Sequence, residues 1–293
     1  MKTIPLISIV TINYKQAEIT NQLLNSLQSI SYPNVEIIVV DNNSGANSIE
    51  IINTNYANVK LICNENNLGF SGGNNVGIQA SEGEFVLLLN NDTEVNSGFL
   101  EPMIELFQHD SLIGAVSPKI KYFSQPEIIQ YAGFSKMNPY TLRMYTIGNK
   151  KPDSNIYNHI KETPYAHGCA MMVRREVINA VGLMPEEYFL YYEEHDWSTS
   201  IRRSGYKIFY QPKSIVFHKE SISVQKGSVL KTYYLNRNRI LFMRRNSSLQ
   251  NKIIASLYLM FVSVPKNLLS YLFKSEYGHM KAYLNALAWN ISN

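Results

Sequence analysis

The stretch LLLNNDT, residues 87–93, changes character halfway along. Its leucines, preceded by Phe85 and Val86, form an unbroken apolar run of the kind found in a strand covered on both faces. They give way at once to two amides and a carboxylate, Asn90, Asn91 and Asp92. Burying a carboxylate is costly unless it is hydrogen-bonded or holds a metal ion. An acid at the end of a core strand therefore needs a purpose.

Upstream the same pattern repeats. LISIVTIN (6–13), VEIIVVD (35–41) and VKLIC (59–63) read as buried strands, and 85–89 is the fourth. Between them, residues 17–30 carry apolar side chains at helical spacing (Leu23, Leu24, Leu27, Ile30). Shorter helical stretches are expected at 48–53 and 74–80, a further helix at 99–107, and another strand at 113–116. Strand–helix alternation predicts βαβ units and a mostly parallel central sheet with helices on both faces, a Rossmann-like α/β fold. Residues 121–163 lose this period and read as a loop or insertion. Order returns at 170–181, a strand then a helix, closed by Gly182.

Ligands of such sheets sit beyond the carboxyl ends of the strands. Those ends are TINY (11–14), DNNS (41–44), NENN (64–67) and NND (90–92). Any one of them is ordinary turn chemistry, but four in succession point to a polar ligand. NNLGFSGGNNVG (66–77) then opens a helix with closely spaced glycines, which allow close backbone approach at a helix N-terminus. It is neither the dinucleotide fingerprint nor a P-loop.

The second dense motif is YYEEHDW (191–197), which precedes an expected helix at 198–204 capped by Gly205. Three acids within four positions repel one another, and crowding can raise one carboxylate's pKa until it serves as a base. GYKIFY (205–210) reads as a strand, and IVFH (215–218) brings His218 to the end of an apolar run.

Composition supports a globular chain. Of 293 residues 45% are hydrophobic, which allows a sizeable core. The two cysteines, Cys63 and Cys169, have no metal-site or redox spacing and read as reduced, buried thiols of a cytoplasmic protein. The N-terminal apolar run is β-branched and lacks a small-residue cleavage site, so it fits a first strand better than a signal peptide. Charge is uneven: residues 1–199 hold 12 Lys/Arg against 21 Asp/Glu, and residues 200–293 hold 15 against 2. A basic C-terminal third implies an anionic partner.

DNNS, NLGFSGGNNVGI, LLLNND, HGCAMMVRREV, FLYYEEHDW and RRSGYKI occur in that order over about residues 5–245. This ordered set resembles the inverting family 2 glycosyltransferases of the GT-A fold, most closely the rhamnosyltransferase-like branch of bacterial surface polysaccharide synthesis. The resemblance implies a nucleotide diphosphate sugar donor and a divalent metal, Mg²⁺ or Mn²⁺. Asp92 stands where the family's metal-binding acid stands, although NND here replaces the usual DxD. His218 matches a histidine that completes the metal site in some relatives. Glu194 falls at the family's base position, one methylene longer than the usual aspartate, with Asp196 and then Glu193 as further candidates. Asp41 matches the acid that bonds a pyrimidine base. Thr11, Asn13 and Asn43 lie beside it on strand ends. Asn67, Gly69, Gly72 and Asn74 are expected near the donor's ribose or sugar, and Asn90 and Asn91 near donor oxygens. Trp197 reads more readily as a packed first-turn aromatic than as part of an acceptor wall.

The expected organisation is a catalytic domain over 1–225, with a nucleotide-sugar half at 1–120 and an acceptor half at 121–225. A basic amphipathic helical extension follows at 226–293. In that extension Pro265-Lys266 is expected to interrupt the apolar run 253–273, leaving too short a stretch for the ~20 residues of a membrane span. Flanking Lys, Arg and aromatics suit a helix in the bilayer interface, or alternatively a pair packed on the catalytic domain or a dimer mate. Interfacial contact would place the protein at the inner face of the cell membrane, acting on a glycan or polyprenyl-diphosphate-linked glycan acceptor. No nucleic-acid module accompanies the basic tail. Two other classes compete: a nucleotidyltransferase, whose Gly-rich basic loop is absent after the first strand, and a non-catalytic sugar-nucleotide or polysaccharide-binding protein, which the missing DxD acid would allow.

Overall fold

A computed structural model describes residues 4–56, 58–219 and 227–293. The chain divides into two compact units. Unit 1 comprises Met1–Ser135, Thr146–Phe189 and Glu193–Ser223; unit 2 comprises Lys136–Tyr145, Leu190–Tyr192 and Val224–Asn293.

Unit 1 is built on one sheet. Its elements run β1 (Ile7–Asn13), α1 (Ala17–Leu27), β2 (Val35–Asp41), α2 (Ala46–Asn55), β3 (Val59–Cys63), α3 (Gly69–Ala80), β4 (Phe85–Leu89), β5 (Thr93–Val95) and α4 (Glu101–His109). Then come β6 (Ile113–Tyr122), β7 (Gln125–Tyr131), β8 (Lys151–Pro152), β9 (Lys161–Glu162), β10 (Ala170–Arg174), α5 (Arg175–Val181), α6 (Glu193–Arg203) and β11 (Lys207–His218). The strand order is β3-β2-β1-β4-β10-β6-β11-β5. β1, β2, β3 and β4 are parallel, as the βαβ pattern requires, and β6 runs parallel to β11. β10 is antiparallel to both its neighbours, and β5 is antiparallel to β11.

The period-two rule of strands sorts the core into two layers. Ile7, Ile9, Leu87, Leu89 and Met172 face Leu23, Leu27, Met103 and Phe107 of α1 and α4. Val10, Leu88, Val86 and Val173 face Ile78, Val177, Trp197 and Ile201 of α3, α5 and α6. Each such side chain, fully buried, contributes about 1.5–3 kcal/mol.

Several boundaries differ from expectation. α3 starts at Gly69, not 74. The acids of 193–196 do not precede a helix; they form the first turn of α6. Carboxylates favour a helix N-terminus, and that preference outweighs their mutual repulsion. The two expected strands at 205–210 and 215–218 are one strand, β11, carrying a register shift between Gln211 and Ile215. Residues 121–163, expected to be a loop or insertion, contain β7, β8 and β9; β8 and β9 are two residues each, too short to show a period. Cys169 is buried as expected, but Cys63 is exposed, because β3 is the edge strand of the sheet.

Unit 2 contains α7 (Val229–Asn246), α8 (Leu249–Tyr258), α9 (Val264–Phe273) and α10 (Tyr277–Ser292). Ser228 and Ser248 cap α7 and α8 by accepting from Lys231 N and Asn251 N. Leu142, Met243, Ala255 and Leu259 form its small apolar cluster. Pro265 does not break the chain of helix. A π turn at Leu259–Ser263 joins α8 to α9, with Val264 N bonding Leu259 O. One wide turn before a proline absorbs the clash its ring makes with the preceding turn. The result is one helix, Leu249–Phe273, long and apolar enough to cross a bilayer by length and composition.

Candidate active site

The parallel strands end together, and their polar ends bond one another. Asn13 donates to Asp41 Oδ1 (2.6 Å) and to the Ser44 and Ser48 hydroxyls, while its own oxygen accepts from Thr20. The second Asp41 oxygen accepts from Ser44 N (2.8 Å). Asn13 and Asp41 are wholly buried. They fix the 42–44 loop, on which Asn43 is exposed in a left-handed conformation (φ 62°). Thr11 is also fully buried, and its hydroxyl has no hydrogen-bond partner among the described residues.

The glycine-rich segment differs from its expected role. Gly69, at φ 70°, takes a conformation strained for any side chain, and a Cβ there would meet Phe189 O at 2.3 Å. A Cβ on Gly77 would lie 2.2 Å from Val10 Cγ1. Gly72 is closed over by the Leu68 side chain. The glycines thus let α3 press against the sheet and the 189 loop, rather than forming an open cradle. Asn67 Oδ1 accepts from Gly69 N, and Asn74 donates back along the helix to Phe70 O. Ser71, in the first turn of α3, is buried with a hydroxyl that has no partner among the described residues.

At the end of β4, Asn90 N donates to Cys169 O (2.9 Å), and Asn91 donates to Thr20 Oγ1 and Gln16 Oε1. The pairing of β5 with β11 sets Thr93 opposite His218. That register brings Asp92 Oδ1 to 3.2 Å from His218 Nε2, both side chains being buried. On the far side of the ring, His218 Nδ1 donates to Gln130 Oε1 (2.7 Å), which leaves Nε2 directed at the carboxylate. Burial opposes charge on this imidazole, but Cys169 and Asp92 outweigh it and hold the pKa well above the ordinary histidine value. A carboxylate and an imidazole nitrogen are donor types that a divalent cation takes. Two ligands of an octahedral ion at ~2.1 Å lie about 3 Å apart, which the observed separation fits. Among the described residues no group of three or more His, Cys, Asp or Glu is arranged to hold a metal ion. A cation here would draw its remaining ligands from substrate oxygens and water.

The third component is the first turn of α6. Glu193 and Asp196 are almost fully buried, and Tyr188 donates to Asp196 Oδ2 (2.7 Å). Glu194 is the more open acid. Its Oε2 has no hydrogen-bond partner among the described residues, and its Oε1 lies 3.7 Å from His195 Nδ1. A Cβ at Gly168 would sit 3.4 Å from Glu194 Oε1, so the glycine leaves the carboxylate its room. Since Cys169 holds the backbone of Asn90, residues 168–169 link Glu194 to the strand end that carries Asp92. His195 packs on Phe134 and Tyr165; burial lowers its pKa despite the opposing charge of Glu194. Trp197 is buried and donates to Gly182 O, which makes it a core residue and not an acceptor wall.

Sequence reasoning passed over several residues. Asn42 donates to Gly69 O and accepts from Asn64, tying the ends of β2 and β3 to the start of α3, although DNNS had drawn attention only to its neighbours. Gln130 lies in the stretch read as irregular and gave no signal. Asn238 of α7 donates to the carbonyls of both Leu190 and Tyr191 (2.8 Å each), immediately before the acid motif along the chain. There Phe189, Tyr191 and Tyr192 all adopt positive φ, a costly conformation for large side chains.

The strand order, the acid at the end of β4 and the acidic first turn of α6 together define a GT-A-type fold, and solved structures share it. A mannosyltransferase from Pyrobaculum calidifontis, solved with GDP-Man and Mn²⁺, superposes with a TM-score of 0.60 at 15% identity, covering 99% of this chain and 76% of that one. Residues 1–349 of S. aureus TarS give 0.60 at 18%, covering 97% and 80%. Residues 8–182 match the family described as Glycosyl transferase family 2, so the chain belongs to that family and is a glycosyltransferase. Among curated relatives, the low-salt glycan biosynthesis hexosyltransferase Agl10 of Haloferax volcanii is 26% identical over 252 residues, 84% of this chain and 78% of the relative. An N-acetylglucosaminyl-diphospho-decaprenol L-rhamnosyltransferase of Mycobacterium tuberculosis is 22% identical over 241 residues, 73% and 76%.

Proposed function

We propose that this chain is a metal-dependent inverting hexosyltransferase that moves a sugar from a nucleotide diphosphate donor to a glycan or polyprenyl-diphosphate-linked glycan in cell-surface polysaccharide synthesis. The observation that carries the reading is the pairing of Asp92 with His218 at 3.2 Å on the strand edge that also carries Glu194's neighbour, Gly168. Asp92 and His218 would hold Mg²⁺ or Mn²⁺. When bound, such a cation stabilises charge on the departing diphosphate. Glu194 takes the proton of the acceptor hydroxyl as that oxygen attacks the anomeric carbon from the face opposite the leaving group, which inverts the configuration. Asp196 and Glu193, buried among protein groups, support the turn that carries it. Asp41 and Asn13 shape the nucleotide end through the 42–44 loop, with Asn43 and Thr11 nearest an incoming base. Asn67, Gly69, Gly72 and Asn74 set the position of α3 beside the donor, and Asn90 and Asn91 offer amides to its oxygens.

Rhamnose from dTDP-rhamnose is the first donor to try, followed by UDP-hexoses. The organisation proposed is a 1–225 catalytic domain and a 226–293 helical extension, the protein working at the cytoplasmic face of the membrane where a lipid-linked acceptor is presented. The test is a donor panel with Mg²⁺ or Mn²⁺, read as nucleotide diphosphate release. Release from one donor that stops with a chelator and returns with added metal is the expected result. Metal-independent release, or release from no donor, would sink the reading.

A further inference from the structure

The Leu249–Phe273 helix is packed along one narrow stripe only. Ala255, Leu259 and Ser263, at intervals of four, are buried in unit 2. Much of its outward surface is apolar: Ile253, Leu257, Met260, Phe261, Leu269 and Phe273 are exposed, the phenylalanines at 69% and 84%. An exposed apolar face of this extent marks a surface that meets a partner or lipid. The charge around it has one sign. Residues 227–293 hold nine Lys/Arg and a single acid, Glu276, and the helix itself carries Lys252 and Lys266, with Lys274 just past its end, and no carboxylate. That balance complements anionic phospholipid headgroups.

The orientation follows from the packed stripe. Arg239 reaches Ser263, and Asn267 donates to Tyr283 OH of α10 (3.2 Å), both near the middle of the helix. A span would carry that arginine to the centre of the bilayer, where charge is expensive. Lying flat, the helix keeps its polar stripe and the basic helices behind it in water while the open face enters lipid.

We propose that the Leu249–Phe273 helix is an in-plane anchor whose outward face seats in the headgroup–acyl boundary of an anionic bilayer. The inference deepens the membrane part of the function proposed above and is independent of the transfer chemistry. It can be tested by flotation of the full chain with vesicles of phosphatidylcholine, with and without phosphatidylglycerol. The expected result is recovery with the anionic vesicles, weakening as salt rises, and a loss of about tenfold or more in Leu257→Glu/Phe261→Glu, which replaces exposed apolar contacts with repelled charge. Because two acids could perturb the fold, Leu272→Ser/Phe273→Ser provides a milder loss, and far-UV circular dichroism with the thermal transition checks both. Depth is read from Phe261→Trp in vesicles brominated near the headgroup or near the chain ends. The helix midpoint should be quenched by the shallow label; quenching by the deep one means a span and overturns the in-plane anchor. Wild-type protein left in the aqueous fraction, or variants that float equally well, overturns it too. So does a wild-type dimer that the variants dissociate, since a second copy would then cover this face. Nucleotide diphosphate release measured without vesicles reports separately on the catalytic reading.

Discussion

The two units place polar and apolar groups in opposite ways. In unit 1, apolar side chains line both faces of the sheet, and two buried polar pairs lie at strand ends: Asn13 bonds Asp41, and Asp92 faces His218. In unit 2, Arg237 lies buried, its guanidinium 4.6 Å from the Trp289 ring and 4.8 Å from that of Tyr234, while Phe261 and Phe273 face outward. Burying polar groups at a strand edge costs free energy that their mutual hydrogen bonds, or a ligand, must offset. An apolar outer face is equally costly in water. The first contrast singles out the edge at which the proposed donor would bind; the second singles out the helical face proposed to meet lipid.

The largest expected effects fall on the polar edge. Glu194→Gln should lower sugar transfer by about 10²–10⁴-fold while donor binding survives, because the amide keeps the shape and loses the proton acceptor. Full turnover by this variant would move the base to Asp196 or Glu193. Asp92→Ala should lower transfer by about 10²–10³-fold and weaken donor and metal binding together. Unchanged metal dependence of donor binding, followed by calorimetry, would remove Asp92 from the metal site.

Matched leucines sharpen the contrast in stability. Leu88→Ala, in the unit 1 core, should cost about 2–5 kcal/mol by urea denaturation. Leu272→Ala, half exposed, should stay within about 0.5 kcal/mol in vesicle-free buffer. A comparable loss at Leu272 would mean that its face is covered in solution. Next in size is Asn238→Ala. It strips two carbonyls of their donor and should cost about 1–3 kcal/mol. If the strained turn before Glu193 depends on that clamp, kcat should fall while the KM for donor stays close to wild type. An unchanged kcat at reduced stability would leave Asn238 a structural residue alone.

How much of this was legible in the sequence differs element by element. β2, β3 and β4 were readable to the residue: β3, a partly exposed edge strand, because its β-branched and apolar residues stand between turn-forming ones, and β4 because a strand buried on both faces must be continuously apolar. The identity of Asp92 as a strand-end acid was legible for the same reason. Its neighbour His218 could be matched only through family resemblance, since the contact depends on β5 pairing antiparallel with β11, and no local period encodes that partner. The glycines of 69–77 were visible, but their use was not: a close approach to Val10 and Phe189 is a tertiary fact. Pro265 misled because a proline stops a regular α-helix, whereas a π turn lets one continue.

The smallest effect tests the electrostatics of the α6 turn through pH. Burial lowers the pKa of His195 in the folded protein, with Glu194 opposing by less. In the unfolded chain the same imidazole takes up a proton near pH ~6.5. Below that value the unfolded state binds more protons than the folded one, so stability falls as the solution is acidified and is fully restored above it. The slope from one such group is at most about 1.4 kcal/mol per pH unit. His195→Phe, placed among Phe134 and Tyr165, removes the titrating group while keeping an aromatic ring there. Its urea midpoint should therefore drop less between pH 7.5 and 5.5 than that of the wild type. An equal or larger drop would mean that His195 is already charged in the fold, and Glu194 would then have a cation beside it rather than a neutral ring.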